Sequence, residues 1–88
     1  MAITSGRQTV TPALTQVDGL SVYQSHIVIH NNDTTKDLLL GGPNMTAGNG
    51  VPLAKLQYIQ LDIPPGEAVY LMSTNGEVDV SWMRITQD

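Results

Sequence analysis

Residues 58–72, YIQLDIPPGEAVYLM, constrain the fold more than any other stretch of the chain. Aliphatic and polar residues alternate over residues 59–63, so an extended chain there carries its aliphatic side chains on one face. Residues 64–67 then end the strand, because proline has no N–H for a ladder and glycine accepts a positive φ. An apolar run follows at once in residues 68–72. The stretch therefore predicts two strands joined as a hairpin by a Pro-Pro-Gly-Glu turn.

Turn signals recur along the rest of the chain at the spacing typical of small β-proteins. Asp18-Gly19 and Asn75-Gly76 are hairpin-type pairs flanked by apolar residues. Residues 9–17 predict a strand in which Pro12 requires an edge position or a break. No long segment shows the helical i, i+3, i+4 pattern. The sequence therefore predicts an all-β fold, a small antiparallel β-sandwich or barrel of about six to eight short strands with an extended N-terminal arm.

The same alternation predicts the core and the chemistry of the opposite faces. The predicted core residues are Ile27, Ile29, Leu38, Leu40, Ile59, Leu61, Val69, Leu71, Val78 and Val80. His26 and His30 fall on the other face of their strand, ~13 Å apart, too far to share a metal ion. With no Cys nucleophile and no phosphate-binding glycine loop, the sequence predicts no catalytic site, no metal site and no cofactor, and an enzyme is not expected.

Residues 1–8, MAITSGRQ, predict a flexible arm ahead of a single β domain at residues 9–88. The small polar residues of the arm bury too little apolar area to offset a backbone ordering cost of ~1–2 kcal/mol per residue. We expect the arm to be mobile in the free protein and to add as a strand to a partner's sheet. Ile3 would then be an apolar anchor, Thr4 favours extended geometry, and Arg7 supplies a positive charge.

Charge and hydropathy argue against several partners. The net charge is −4, and the four basic residues are too scattered to follow a phosphate backbone: Arg7, Lys36, Lys55 and Arg84. No apolar run approaches the ~20 residues of a membrane span, and the N-terminus lacks the apolar core of a signal peptide. We therefore expect no nucleic acid and no membrane as partners, and synthesis in the cytoplasm.

The size of the chain favours association with other subunits. A chain of 88 residues without Cys or Phe is near the lower limit for a single unaided core. Some strands are also apolar on both faces, which predicts a second buried surface between subunits. The candidate residues for this subunit interface are Tyr70, Met72 and Met83.

Two runs carry a family resemblance. LLLGGPNMTAGNGVPL at residues 38–53 and LDIPPGEAVYLMS at residues 61–73 resemble small β-proteins encoded among the virion genes of tailed bacteriophages. The strand ending at residues 27–31 and the opening at residues 4–8 are similar to the same group. The resemblance implies a non-enzymatic structural protein on the virion, a capsid decoration (head-stabilising) or minor capsid protein. Its partners would be the major capsid protein and itself, with a homotrimer favoured, and its place the capsid surface.

A second function stays open from the residues alone. A glycan- or receptor-binding β-module of a phage tail or fibre would have the same fold, with exposed aromatic side chains beside amides. Tyr70 and Trp82 lie in strongly apolar strands and are predicted to be buried. This favours the structural protein over the binding module.

Overall fold

In the computed structural model, the described residues, 2–18, 22–46 and 48–86, form eight β-strands. The strands are β1 (Ala2–Val10), β2 (Thr15–Val17), β3 (Ser25–Asn31), β4 (Leu38–Gly41), β5 (Val51–Leu53), β6 (Tyr58–Ile63), β7 (Val69–Ser73) and β8 (Val78–Thr86). They form two four-stranded antiparallel sheets, and the prediction of a small all-β sandwich is confirmed. Pro12 lies between β1 and β2, where the sequence predicted an edge or a break.

The pairing follows one long antiparallel ribbon. Strand β1 pairs with β8, β2 with β7, β3 with β6, and β4 with β5. Further ladders join β3 to β8 and β4 to β7, which rolls the ribbon into two layers. We call the sheet β1-β8-β3-β6 the front sheet and the sheet β2-β7-β4-β5 the back sheet. Eight strands in this nested order are a jelly-roll sandwich.

The predicted hairpin at residues 58–72 is wrong, although both of its strands are present. Strand β6 is an edge of the front sheet and β7 lies inside the back sheet, so residues 64–68 cross from one layer to the other. Gly66 has a φ of 77°, as the turn chemistry required. Asn75-Gly76 likewise joins β7 to β8 in the other sheet. At Asp18-Gly19, Asp18 follows β2 and Gly19 lies outside the described residues.

The core lies between the two sheets and contains the predicted residues. The buried cluster consists of Val10, Val17, Ile27, Ile29, Leu38, Leu40, Leu53, Ile63, Val69, Leu71, Val78 and Val80. Ile59 and Leu61, on the edge strand β6, are partly buried against it. Alternation with period two therefore identified the inward sides of β3, β4, β6, β7 and β8 correctly. The core residues on β1, β2 and β5, which are Val10, Val17 and Leu53, were not predicted.

The prediction of a separate N-terminal arm is corrected by the structure. Ala2–Val10 form β1 and pair with β8 along their whole length, from Ala2 opposite Thr86 to Val10 opposite Val78. Main-chain hydrogen bonds to β8 offset the ordering cost that the small side chains could not offset. Met1 lies outside the described residues.

A charged side chain is also buried in the front sheet. Arg84 points inward from β8 with 5% of its side chain exposed, and its Nε lies 3.6 Å from Oδ2 of Asp18. Asp18 stands just after β2 with a positive φ of 56°. The ion pair joins the front sheet to the connection that leaves the back sheet.

Candidate assembly surface

The outer face of the front sheet, which we call the front face, carries exposed and partly exposed apolar side chains at its centre and at its edges. Its rows follow from the strand register: Ile3, Ile85, His26 and Asp62; then Ser5, Met83, Val28 and Gln60; then Arg7, Ser81, His30 and Tyr58; and finally Thr9 and Asp79. Exposure is 64% for Ile3, 61% for Tyr58 and 39% for Met83. Val28 and Ile85, beside Met83, are partly exposed.

A charged pair lies at one corner of the front face, on β3 and β6. His26 Nδ1 is 2.8 Å from Oδ1 of Asp62, directly opposite in the register, and its Nε2 is 3.1 Å from Oε1 of Gln60. The hydrogen bond to Asp62 and the one to Gln60 raise the pKa of His26 above its ordinary value of 6.5. His26 therefore keeps its positive charge beside Asp62 to a higher pH than an unperturbed histidine does.

A second polar network lies at the opposite corner of the front face. The Arg7 guanidinium pairs with Oδ2 of Asp79, and Asn32 Nδ2 donates to the same oxygen at 3.2 Å and to Ser81 Oγ at 2.8 Å. These bonds, with the one from Arg7 the strongest influence, hold the pKa of Asp79 below its ordinary value. The network fixes Arg7, whose side chain is 70% exposed, near the edge of the sheet.

A shallow open depression lies between the two corners. Val28, His30, Ser81, Trp82 and Met83 line it, with a volume of about 160 Å³. Both histidines are on the outward side of β3, as predicted, and His30 Nδ1 is 2.5 Å from Oδ1 of Asn32. Among the described residues, no group of three His, Asp or Glu side chains is arranged to hold a metal ion.

The structure does not bring the three predicted interface residues together. Met83 lies on the front face, whereas Tyr70 and Met72 lie on the outer side of β7 in the back sheet. Tyr70 is partly buried, and its hydroxyl donates to Oε1 of Gln16 at 3.3 Å. Met72 is also partly buried and pairs with Leu39 in the register. Sequence patterns predicted that these strands have two apolar sides but not which sheet each strand joins.

The connection between β4 and β5 covers part of the back sheet. Met45 in this connection is only 6% exposed, and its Sδ would lie 2.9 Å from a Cβ built on Gly41 or on Gly50. A side chain at either position would therefore force Met45 to shift, and at Gly50 it would also lie 2.7 Å from the Cβ of Leu39. The chain thus shields this side of the back sheet with its own loop, and the front face keeps its apolar centre exposed.

The predicted arm residues occupy different sides of β1. Ile3 and Arg7 point outward on the front face, and Thr4 lies on the opposite side of the strand. Strand β1 is an edge of the front sheet, and its nine residues contain no proline. The edges of the back sheet are the three-residue strands β2 and β5, and β5 includes Pro52. None of the described residues belongs to a helix that could cross a membrane.

Comparisons with known proteins add a fold likeness. No protein-family model and no curated protein matches the sequence. A protein of the disulfide-linked pili formed by Bacillus endospore appendages has a similar structure, with a TM-score of 0.55 at 12% identity. The likeness covers 99% of this chain and 87% of the pilus chain. Since these 88 residues contain no Cys, disulfide links are not shared. This chain is therefore similar in fold, and in fold alone, to a pilus protein.

Proposed function

We propose that this chain is a structural, non-enzymatic subunit of a tailed-bacteriophage virion. It would bind the assembled shell at the capsid surface as a decoration or minor capsid protein, after synthesis in the host cytoplasm. The resemblance of residues 38–53 and 61–73 to phage virion proteins supports this proposal. The fold likeness to a protein that builds pili is consistent with an assembly role for the sandwich.

The observation that carries the proposal is the open edge of β1. A long edge strand without proline presents unpaired N–H and C=O groups to other chains. Most β-proteins avoid this by shortening or blocking their edge strands. The other three edge strands are shorter: β2 and β5 have three residues each and β6 has six, against nine in β1. Strand β1 is thus the edge best suited to accept a strand from a major capsid protein. Strand addition, which the sequence predicted for a mobile arm, is now proposed for the ordered edge strand β1.

Two proline substitutions at neighbouring positions of β1, each the control for the other, test this proposal. Successive residues of a strand direct their N–H groups to opposite sides, so of Thr4→Pro and Ser5→Pro one removes a bond to β8 and the other an outward N–H. The variant that lowers the melting temperature identifies the inward position. The other variant should keep the melting temperature and lose at least about tenfold in affinity for shells, ~1.4 kcal/mol.

The measurement is co-sedimentation with shells of the corresponding phage assembled without this protein. The thermally unchanged proline variant is compared with the wild type over a range of concentrations. If it sediments with shells as well as the wild type does, binding does not use the open edge of β1. If the wild type itself stays in the supernatant, the capsid proposal is wrong.

A glycan- or receptor-binding module is the second candidate, and one observation favours it. Tyr58, with 61% exposure, stands opposite His30 in the register, beside the front-face depression. An exposed aromatic ring next to polar side chains is a suitable platform for a sugar ring. Titration calorimetry with host-surface polysaccharide, comparing the wild type with Tyr58→Ala, separates the candidates. Saturable heat that Tyr58→Ala abolishes would favour this function over shell binding.

A further inference from the structure

We propose that a second copy of this chain packs on the front face, related by a twofold axis that runs parallel to the strands between β3 and β8. This inference goes beyond the proposed function, because it concerns the isolated protein and needs no shell. In this dimer, the exposed apolar centre of the front face packs against the same region of the second copy.

The twofold operation pairs side chains that suit each other. With the axis between β8 and β3, β8 of one copy lies over β3 of the second copy, and β1 lies over β6. Residues of one row in the first copy then face residues of the same row in the second. Met83 then meets Val28 of the second copy, and the reverse contact forms by symmetry. Ser5 faces Gln60, and Ser81 faces His30. The two Met83–Val28 contacts are thus at the centre of the interface, and polar side chains lie around them, as in specific interfaces.

Arg7 finds an aromatic partner in this arrangement. Arg7 and Tyr58 occupy the same row on the two edges of the front sheet, β1 and β6. The axis therefore brings the Arg7 guanidinium over the Tyr58 ring of the second copy. Both side chains are well exposed, at 70% for the Arg7 side chain and 61% for Tyr58. A guanidinium over a tyrosine face is a favourable cation–π contact. The less suitable pairs, Ile3 with Asp62 and Ile85 with His26, both lie in the end row of the face, where water still reaches the polar side chains.

Other twofold axes in the interface plane fit less well. An axis across the strands sets Arg7 over Ile3 and His26 over His30, which leaves Tyr58 over Asp62. A diagonal axis crosses the strands at right angles, and two twisted sheets then diverge at two corners. An axis parallel to the strands superposes two surfaces of the same twist. The two front sheets therefore keep the ~10 Å separation of aligned packing over their whole area.

The size of the surface is sufficient for a stable pair. The molecule measures 37 × 25 × 16 Å, so its broad face is comparable with the ~800 Å² per partner of a standard interface. A domain of 88 residues also gains from burying its remaining apolar surface. The contact uses the same patch on both copies and closes at two. It predicts a dimer in place of the trimer that the resemblance implies.

Analytical ultracentrifugation across micromolar concentrations is the first test. We expect a dimer for the wild type and at least a hundredfold weaker dimer for Met83→Lys, which sets two charges in the apolar centre. Val51→Lys is the matched control, because Val51 is also an exposed apolar strand residue, at 56%, but lies on β5 of the back sheet. A monomer or trimer for the wild type, or equal effects of the two variants, overturns the proposal.

A charge rescue tests which residues meet across the axis. Tyr58→Lys sets a lysine against Arg7 of the second copy, and Arg7→Glu removes the cation; each should weaken the dimer at least tenfold. The double variant restores an attractive pair and should return the dissociation constant to within about threefold of the wild type. Within one chain the two positions lie on opposite edges, three strand spacings or ~14 Å apart, so the rescue cannot be internal. Additive losses in the double variant contradict the proposed axis.

Discussion

At the scale of single residues, Asn31 connects more of the backbone than any apolar core residue can. It is fully buried, and its Nδ2 donates to the carbonyl oxygens of Lys36 at 3.0 Å and Leu53 at 3.3 Å. Its Oδ1 accepts from Asp33 N at 2.9 Å, and its own N donates to Gln57 O at 2.9 Å. The side-chain amide thus joins the β3–β4 connection to the end of β5, and the backbone N–H adds a bond to the β5–β6 connection.

Truncation of Asn31 should therefore destabilise the fold strongly. Asn31→Ala leaves two carbonyl groups and one N–H without this partner in a buried site, and we expect a loss of about 2–4 kcal/mol in the free energy of unfolding. Urea denaturation followed by Trp82 fluorescence measures it. Asn44→Ala, in the exposed β4–β5 connection, is the control and should change stability by less than about 0.5 kcal/mol. Equal effects of the two variants would show that the Asn31 bonds are not structural.

His26 gives a prediction with a definite sign in pH. Its folded-state pKa is raised above 6.5 by Asp62 and Gln60. The stabilisation is therefore complete below pH 6.5 and is lost as the pH rises through the higher folded-state value. The melting temperature of the wild type should exceed that of Asp62→Asn by more at pH 5 than at pH 9. An NMR titration of the His26 ring should also show a lower pKa in Asp62→Asn. A difference in melting temperature that is the same at both pH values would contradict this role.

At the scale of elements, β1 shows how a strand can form with little apolar surface of its own. Gly6 stands opposite Trp82, and a Cβ built on Gly6 would lie 2.9 Å from Cζ2 of the Trp82 indole. The ring occupies the space that a side chain at this position would take. The absence of a side chain at Gly6 therefore allows the indole to pack on β1. From composition alone, the same glycine contributed to the prediction of a flexible arm.

A methyl group at Gly6 should consequently lower stability. In an open strand, Gly→Ala raises stability by about 0.5–1 kcal/mol, because alanine loses less entropy on folding. Here the methyl group meets the rigid indole, and we expect a loss of about 1–3 kcal/mol. Differential scanning calorimetry of Gly6→Ala, with Ser5→Ala on the outward side as the control, decides the sign. A higher melting temperature for Gly6→Ala would mean that the ring does not pack on β1.

The connections between strands mark the limit of what the sequence predicts about the elements. The strands at residues 58–72 and the inward sides of β3, β4, β6, β7 and β8 followed from alternation. A Pro-Pro-Gly turn, however, serves a hairpin and a crossing between layers equally well. The choice depends on pairing with strands far away in the chain, such as β3 for β6. The front face was missed for the same reason, because its rows combine residues from four separate strands.

At the scale of the whole molecule, the two sheets differ in what they expose. The back sheet has short edges and is partly covered by the loop that carries Met45. The front sheet has a long open edge at β1 and an uncovered apolar centre around Met83. Our two proposals use these features separately, with a second copy on the front face and the shell at the β1 edge. The two contacts use different groups, side chains in one case and main chain in the other, so one molecule can make both.

Amide hydrogen exchange along β1 tests strand addition on the shell most directly. In the free protein, alternate amides of β1 bond to β8, so protection should alternate from residue to residue. On the shell, an added strand pairs with the outward N–H groups of β1. The alternate amides that exchange quickly in the free protein should therefore all become protected. Exchange is carried out on the free protein and on decorated shells, then quenched, and the protection of each β1 amide in the two states is measured by NMR. Continuous protection along β1 in the bound state is the predicted result, and an unchanged alternating pattern in bound protein would contradict the account.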